Sequence, residues 1–474
     1  MRSLIAAVWL LYVSAPVCAE IIELAPATMA EMSRAPMSAL ETPERRERHR
    51  PDRPLTMALP STLGVIPEAT SGIAPPKIGA AFRAASSSSF YPADAAGAVS
   101  ARHVVAALNS GITVQDRAGK QLSFVTLGQF WTDPSLPSGG VYDPRIVYDA
   151  VNDRWILTTL YDVNLQNGAM LLAVSESGDP SASWRRYRVP VDAAGKRNAD
   201  LPRVGQTSDA VILSADEWSG DSFLAGSVIF TIPKSYGTAA PAVVVQHFTS
   251  LFDVAPVSSS TATRQVVYAE GPYMVVDELT PTGLRDPKAY TTSVAFTHGF
   301  EPLLGPQLGS SKLMDAGDTM PQNAVSRGGA LWAVHAVKVT SSRTAILVWK
   351  ISGGTAKTYL IEDPEAVLAF PSIAVNRFGA ALIGYAIYTG STYPSAAYSY
   401  IDPAGNLSAS ATMKSGESAY FFDRWGDYTT TLVDPVDDTS FWSLQLYPLQ
   451  PNTWAAWWSQ VPVPAIGRGR AARH

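Results

Sequence analysis

Four short stretches of this sequence gather residue types that do chemistry. They are Asp143-Pro144-Arg145, Pro202-Arg203 with Gln206 just beyond, Gln322-Asn323, and Arg424-Trp425-Gly426-Asp427-Tyr428. Each stands at the start of a strand-like run. Arginine presents a planar fork of donors that suits a carboxylate or a sulfate. An aromatic platform of Trp425 and Tyr428 would suit the apolar face of a sugar. Asp143 and Asp427 are the pair to test for glycoside hydrolysis, which needs two carboxyl groups roughly 5–5.5 Å or roughly 6.5–9.5 Å apart. Arg145, Arg203, Gln206, Gln322, Asn323, Arg424 and Trp425 are therefore the ligand-binding candidates. The same residues also have a plainer use. Aspartate ahead of a strand caps a turn, and arginine ties neighbouring strands together. Asp143 with Arg203, and Arg424 with Asp427, are the ties this second reading expects.

The elements that would position these residues repeat. From about residue 102 to 464 the chain reads as short strands and turns, with little helical periodicity. Six units emerge, each roughly fifty to sixty residues long and holding three or four strands. In each unit the first two strands are joined by a tight turn: 149–154, 207–209, 270–272, 326–329, 376–379 and 434–439. A four-stranded antiparallel unit at this period reads as a propeller blade, and a ring of blades buries what one blade cannot. Three further strand-like runs, 103–110, 111–119 and 121–131, precede the first unit. The sixth unit lacks an outer strand, so N-terminal strands are expected to complete the last blade or to supply most of another. The fold expected is an all-β propeller, six-bladed, with seven blades as the alternative. In a propeller the inner strand of each blade begins beside the central channel, which is where the four stretches fall.

One turn carries a resemblance. Ser177-Gly178-Asp179-Pro180-Ser181-Ala182-Ser183-Trp184 resembles the Asp-box of sialidase-like propellers, Ser-x-Asp-x-Gly-x-Thr-Trp. Ser181 stands in place of the glycine and Ser183 in place of the threonine. Its Asp and Ser side chains would accept hydrogen bonds from the turn's own N–H groups. The resemblance implies a structural turn between the third and fourth strands of a blade, away from any ligand face. Resemblance to sialidases themselves would make Arg145, Arg203 and Arg424 a carboxylate clamp, Tyr428 the nucleophile and Glu270 its partner. This chain departs from their Arg-Ile-Pro with Asp143-Pro144-Arg145-Ile146.

Other motifs are absent: H-E-x-x-H, C-x-x-C, G-x-S-x-G and the phosphate-binding G-x-x-x-x-G-K-[ST]. No cofactor and no metal are expected. The aspartates of 434–439 read as a solvated hairpin turn in preference to a calcium site. Trp454, Trp457 and Trp458 read as packing between blades in preference to a sugar-binding stripe. A lone histidine in such strands is expected to be packed.

The chain has 474 residues, 46% of them hydrophobic and 16% charged, with a net charge of −5. That argues against nucleic acid, which calls for a clustered basic face. The N-terminus has Arg2, an apolar run from Leu4 to Val13 and a small residue at Ala19. It reads as an export signal cleaved after Ala19, giving a secreted or periplasmic protein. Cleavage before Cys18, as in a lipoprotein, is disfavoured by Pro16 and Val17. The mature chain would then have no cysteine. Residues 20–100, rich in Pro, Ala, Ser and Arg, are expected to be a disordered arm, and 466–474 a frayed basic tail. The propeller is expected over 101–465. The functional expectation is a monomer that spans no membrane and recognises a glycan or another extracellular polymer without catalysis. A carbohydrate-active enzyme is the first alternative and a protein-interaction scaffold the second.

Overall fold

The structure, a computed structural model, describes residues 17–18, 21–35, 72–219, 223–237, 239–249, 251–296, 304–340 and 343–463. Among these the regular elements are strands, apart from the short helices Met29–Met32 and Leu127–Trp131. The second of these ends the run 121–131 that the sequence pattern assigns to a strand. Thr126 caps it by accepting from Gln129 N–H, while the Gln129 side chain reaches back to the Thr126 N–H. That reciprocal cap nucleates a turn of helix where apolar content alone suggests a strand.

The strands form antiparallel sheets in a propeller-like arrangement. The inner strands are β1 (Ala96–Val99), β2 (Gly140–Asp149), β3 (Arg197–Gln206), β4 (Ala255–Ser259), β5 (Asn323–Arg327), β6 (Ala366–Val375) and β7 (Thr430–Val433). Each packs beside the next, and β7 returns to β1. Among the described residues, β1, β2, β3, β6 and β7 belong to five separate blades of four or five strands. This corrects the expected count of six or seven separate blades. The third and fourth repeat units are fused into one eight-stranded sheet. Their inner strands approach closely enough to pair in parallel, Val257 with Ala324 and Ser259 with Ser326. In that third unit the strand expected to be first, Gln265–Glu270, is the second, because Ala255–Ser259 lies inside it.

The arm assigned to disorder also needs correcting. Ile22–Thr28 adds a fifth strand outside Ser183–Pro190. Ala81–Ser87 is the outer strand of the last blade, pairing with Thr453–Val461, and the strands from Ala96 to Val125 form a four-stranded blade of their own, so both expected uses of the N-terminal strands occur together. Ala96–Val99 is itself an inner strand. Composition weighs only the apolar surface these segments carry themselves. Their burial comes from partners distant in the chain: Leu24, Met29 and Met32 are all sunk in the core between the first two sheets. The Arg-rich stretch and the tail lie outside the described residues. So does the leader, except that the Val17–Cys18 backbone pairs with Val244 and Val245.

Packing is between sheets. Trp442 and Trp458 meet edge to face, and Trp454 joins them in a core shared by the last and first blades. Fully burying a large apolar side chain contributes on the order of 1.5–3 kcal/mol, so this cluster holds the closing blade firmly. Trp457 points the other way, half-buried, with its ring edge toward Tyr447. Among the described residues no helix is long and apolar enough to cross a membrane.

Candidate functional site

The residues that open the inner strands are placed by a repeated backbone device. Asp143, Leu201 and Phe370 have φ of 54°, 51° and 49°, and each precedes a proline. At each the ladder to the second strand slips, between Tyr142 and Arg145, Asp200 and Arg203, and Ala369 and Ser372. A left-handed residue costs roughly 1–2 kcal/mol, and a bulge re-aims the side chains beside it. Proline suits the gap because it has no N–H to leave unpaired. Its carbonyl stays available as an acceptor.

Neighbouring strands use those carbonyls. Arg145 Nε donates to Pro202 O (2.7 Å), and Tyr428 Oη donates to Pro144 O (2.9 Å). Arg203 Nε donates to Pro321 O (3.0 Å), just ahead of β5. The ring continues with Asn323, whose amide bonds both backbone groups of Ile373, and with Ser372, which bonds Thr429 and Thr431. Thr430 closes it onto Ala95 O and Gly97 N–H of the first blade.

The expected tie between Arg424 and Asp427 is present and bidentate, at 2.6 and 2.7 Å. The other expected tie is not. Arg203 pairs with Asp253 (2.7 Å) inside the core, because the bulge at Leu201 turns it toward the next blade. Asp143 instead accepts from Leu201 N–H through Oδ2, while its Oδ1 is buried with no hydrogen-bond partner among the described residues. Burial, then the charges of Asp94, Asp200 and Asp427, push the Asp143 carboxyl well above the usual carboxylate range. Asp94 links this group, accepting from Asp427 N–H (2.6 Å) and from the Asn109 side chain (2.7 Å). Burial also raises Asp315, which faces Arg424 Nε at 3.6 Å.

The aromatic platform is in the core. Trp425 is 1% exposed, with its ring edge against Tyr420. Tyr428 is 3% exposed and carries the Arg145 guanidinium 3.2 Å from its ring centroid. Its hydroxyl proton goes to Pro144, not to Glu270, which is buried at the tip of the 265–280 hairpin. His335 is packed, with Thr319 O and Trp349 Nε1 on its two ring nitrogens, and burial pushes its pKa down to about 4.

The 177–184 turn lies between the third and fourth strands of its blade. Asp179 accepts from Ser181 N–H, Ser177 from Asp179 N–H, and Trp184 Nε1 donates to Pro180 O. The Ser183 N-terminal edge of the last strand pairs with Thr28. In the 434–439 turn Asp434 accepts from Trp442 Nε1, Asp437 accepts from Ser440 N–H, and Asp438 pairs with Arg327. Those oxygens are committed to the turn and its neighbours. Among the described residues no three His, Cys, Asp or Glu side chains group to hold a metal ion.

Beyond the proline ties the channel widens into a cavity of about 190 Å³. Arg145, Gln206, Gln322, Asn323 and Arg327 supply its long polar side chains. None of its lining residues is an aspartate or a glutamate. Gln206, Gln322 and Asn323 are thus brought together with Arg145, whereas Asp143, Asp427, Arg203, Arg424 and Trp425 line no part of it. Sequence reasoning missed Arg327, Asp253 and Asp94. Arg327 is the last residue of β5, just before a hairpin turn, and nothing local marks its reach to the channel. Asp94 had a signal, since its Tyr-Pro-Ala-Asp-Ala-Ala context also opens an inner strand.

A scan against protein-family models and a search of curated proteins each return no match. Among solved structures the chain is similar to a thermostable family-43 glycoside hydrolase: TM-score 0.35, 11% identity, covering 69% of this chain and 94% of that one. It is similar to a GH43 endo-arabinanase from Bacillus licheniformis: TM-score 0.31, 13% identity, covering 67% and 96%. It is also similar to the Trypanosoma rangeli sialidase: TM-score 0.36, 10% identity, covering 74% and 57%. At these values the likenesses carry no argument about activity or substrate. The propeller-like arrangement of antiparallel sheets is read from this chain's own strand order.

Proposed function

We propose that this protein is an exported, non-catalytic propeller that recognises the terminal unit of a glycan or of another extracellular polymer in its central channel. One observation supports this above the others: the channel cavity is lined by amides, hydroxyls and arginines, with no carboxylate. Glycoside hydrolysis needs an acid and a base or nucleophile facing the sugar. Asp143 is buried behind the proline ties and Asp427 is held by Arg424. The size of the cavity favours a terminal unit. It is smaller than the roughly 300–1,000 Å³ typical of drug-sized sites and amounts to about six waters at ~30 Å³ each.

Purified protein is incubated with a panel of acidic and neutral polysaccharides and sialosides, scored both for binding and for new chain ends. Binding without product is the expected result. Product that disappears in Asp143→Asn or Asp427→Asn would establish the enzyme reading instead.

A further inference from the structure

Three arginines are buried in the described residues: Arg145, Arg186 and Arg203. Two are compensated. Arg203 is paired with Asp253 at 2.7 Å. Arg186 faces Asp133 at 3.7 Å and donates to three backbone carbonyls, those of Ala25, Phe130 and Thr132. Arg145, 7% exposed, has neither form of support. Nε donates to Pro202 O and the guanidinium plane lies on Tyr428. Among the described residues its terminal nitrogens have no hydrogen-bond partner, and it forms no ion pair. Arg145 is among the residues that line the channel cavity. A buried, unpaired charge costs several kcal/mol unless an opposite charge meets it.

The surroundings supply that charge only in part, and through no ion pair among the described residues. The neighbouring Asp143 carboxyl is driven toward its neutral acid form by burial and by three other aspartates. Burial is the largest influence against the Arg145 charge; Tyr428, Asp143 and Asp94 support the charge in part, and Arg203 opposes it. The second arginine of the cavity, Arg327, is already neutralised by Asp438. The side-chain amide of Gln322 and the side-chain nitrogen of Gln206 have no hydrogen-bond partner among the described residues, although Gln206 Oε1 accepts from Lys234. Both residues line the same cavity.

We propose that the channel cavity is an oxyanion site: Arg145 takes the carboxylate or sulfate ester of an acidic terminal sugar as a two-pronged donor, with Gln322 and Gln206 beside it. This rests on the glycan reading above and narrows it. A planar guanidinium fork matches two oxygens of either group, and a lysine at the same place keeps the charge but loses the fork.

The test is calorimetric titration of the full-length protein with glucose, glucuronate, glucose 6-sulfate and inorganic sulfate. Arg145→Lys and Gln322→Ala are measured alongside, with thermal melts to establish that each variant is folded. An acidic sugar is expected to bind at least about tenfold tighter than glucose, the effect of one charge-assisted hydrogen bond. Arg145→Lys should remove that advantage, and Gln322→Ala should reduce it. Glucuronate against glucose 6-sulfate identifies which oxyanion is preferred. Equal binding of glucose and both acidic sugars would overturn the oxyanion site and leave the glycan reading standing. Binding of inorganic sulfate alone, lost in Arg145→Lys, would support the oxyanion site and overturn the glycan reading. No binding of any probe would overturn both, and an acidic preference indifferent to Arg145 and Gln322 would overturn the site proposed here.

Discussion

Asp143 illustrates how one residue can look catalytic and be structural. Its carboxyl is fully buried, receives one N–H from Leu201, and sits among three other aspartates. Because its folded pKa lies above the ordinary 3.8, the folded state binds its proton more tightly than the unfolded chain does. The stability it contributes is complete below that ordinary value and is lost as pH rises through the raised one. Asp143→Asn removes a titrating group while keeping an oxygen for Leu201 N–H. Thermal melts from about pH 4 to about pH 8 should therefore show the wild type losing stability relative to Asp143→Asn, by about 1.4 kcal/mol for every pH step of one between the ordinary and the raised pKa. Parallel curves would show that Asp143 ionises freely in the fold. The sequence marks Asp143, Arg203 and Asp427 as a group by their place ahead of strands. It does not show which arginine meets which aspartate, because the left-handed residue before each proline turns the following side chain by an amount no pattern of types reveals.

The elements show where sequence signals are strong and where they fail. Strands such as Ala330–Thr340 and Arg343–Ser352 announce themselves through β-branched and aromatic residues. Ala255–Ser259 is short and reads Ala-Pro-Val-Ser-Ser, so it carries no such signal. It is a strand because β3 and β5 lie on either side of it. Ile22–Thr28 is a starker case. It holds one buried aliphatic residue, Leu24, and its hold on the molecule is largely polar: Ala25 O accepts twice from Arg186, and Ala25 N–H donates to Asp133. Removing residues up to 34 should leave Arg186 under-bonded inside the core. The expected loss is about 1–3 kcal/mol for each polar group left unsatisfied, read as a lower urea midpoint. An unchanged midpoint would mean that the fifth strand is dispensable.

At the scale of the whole molecule, stability depends on how the ring is shut. Ala85 and Ala456 are direct partners in the closing pair, and antiparallel partners lie roughly 4.5–5.5 Å apart, within disulfide reach. An Ala85→Cys, Ala456→Cys double variant, oxidised, links the two ends of nearly the entire propeller. The closed loop is roughly 370 residues, for which the chain-entropy account gives an upper bound of about 6 kcal/mol, and engineered bridges deliver less where they distort the native geometry. The readout is a raised unfolding temperature that falls back on reduction. No difference between oxidised and reduced forms would show that the ring opens elsewhere first. Closure itself was foreseeable from the missing outer strand of the sixth unit. The fusion of two repeat units through β4 and β5 was not, since parallel pairing between inner strands depends on their approach and not on their composition.

That closing pair also sets an order of events. The segment Ala81–Ser87 is synthesised long before its partner Thr453–Val461. Until that partner has been made, Ala81–Ser87 has no strand to pair with and the closing pair cannot form. Such long-range pairing is slow to form. A nascent chain built this way keeps its ring unlatched until the distant partner strand has been made.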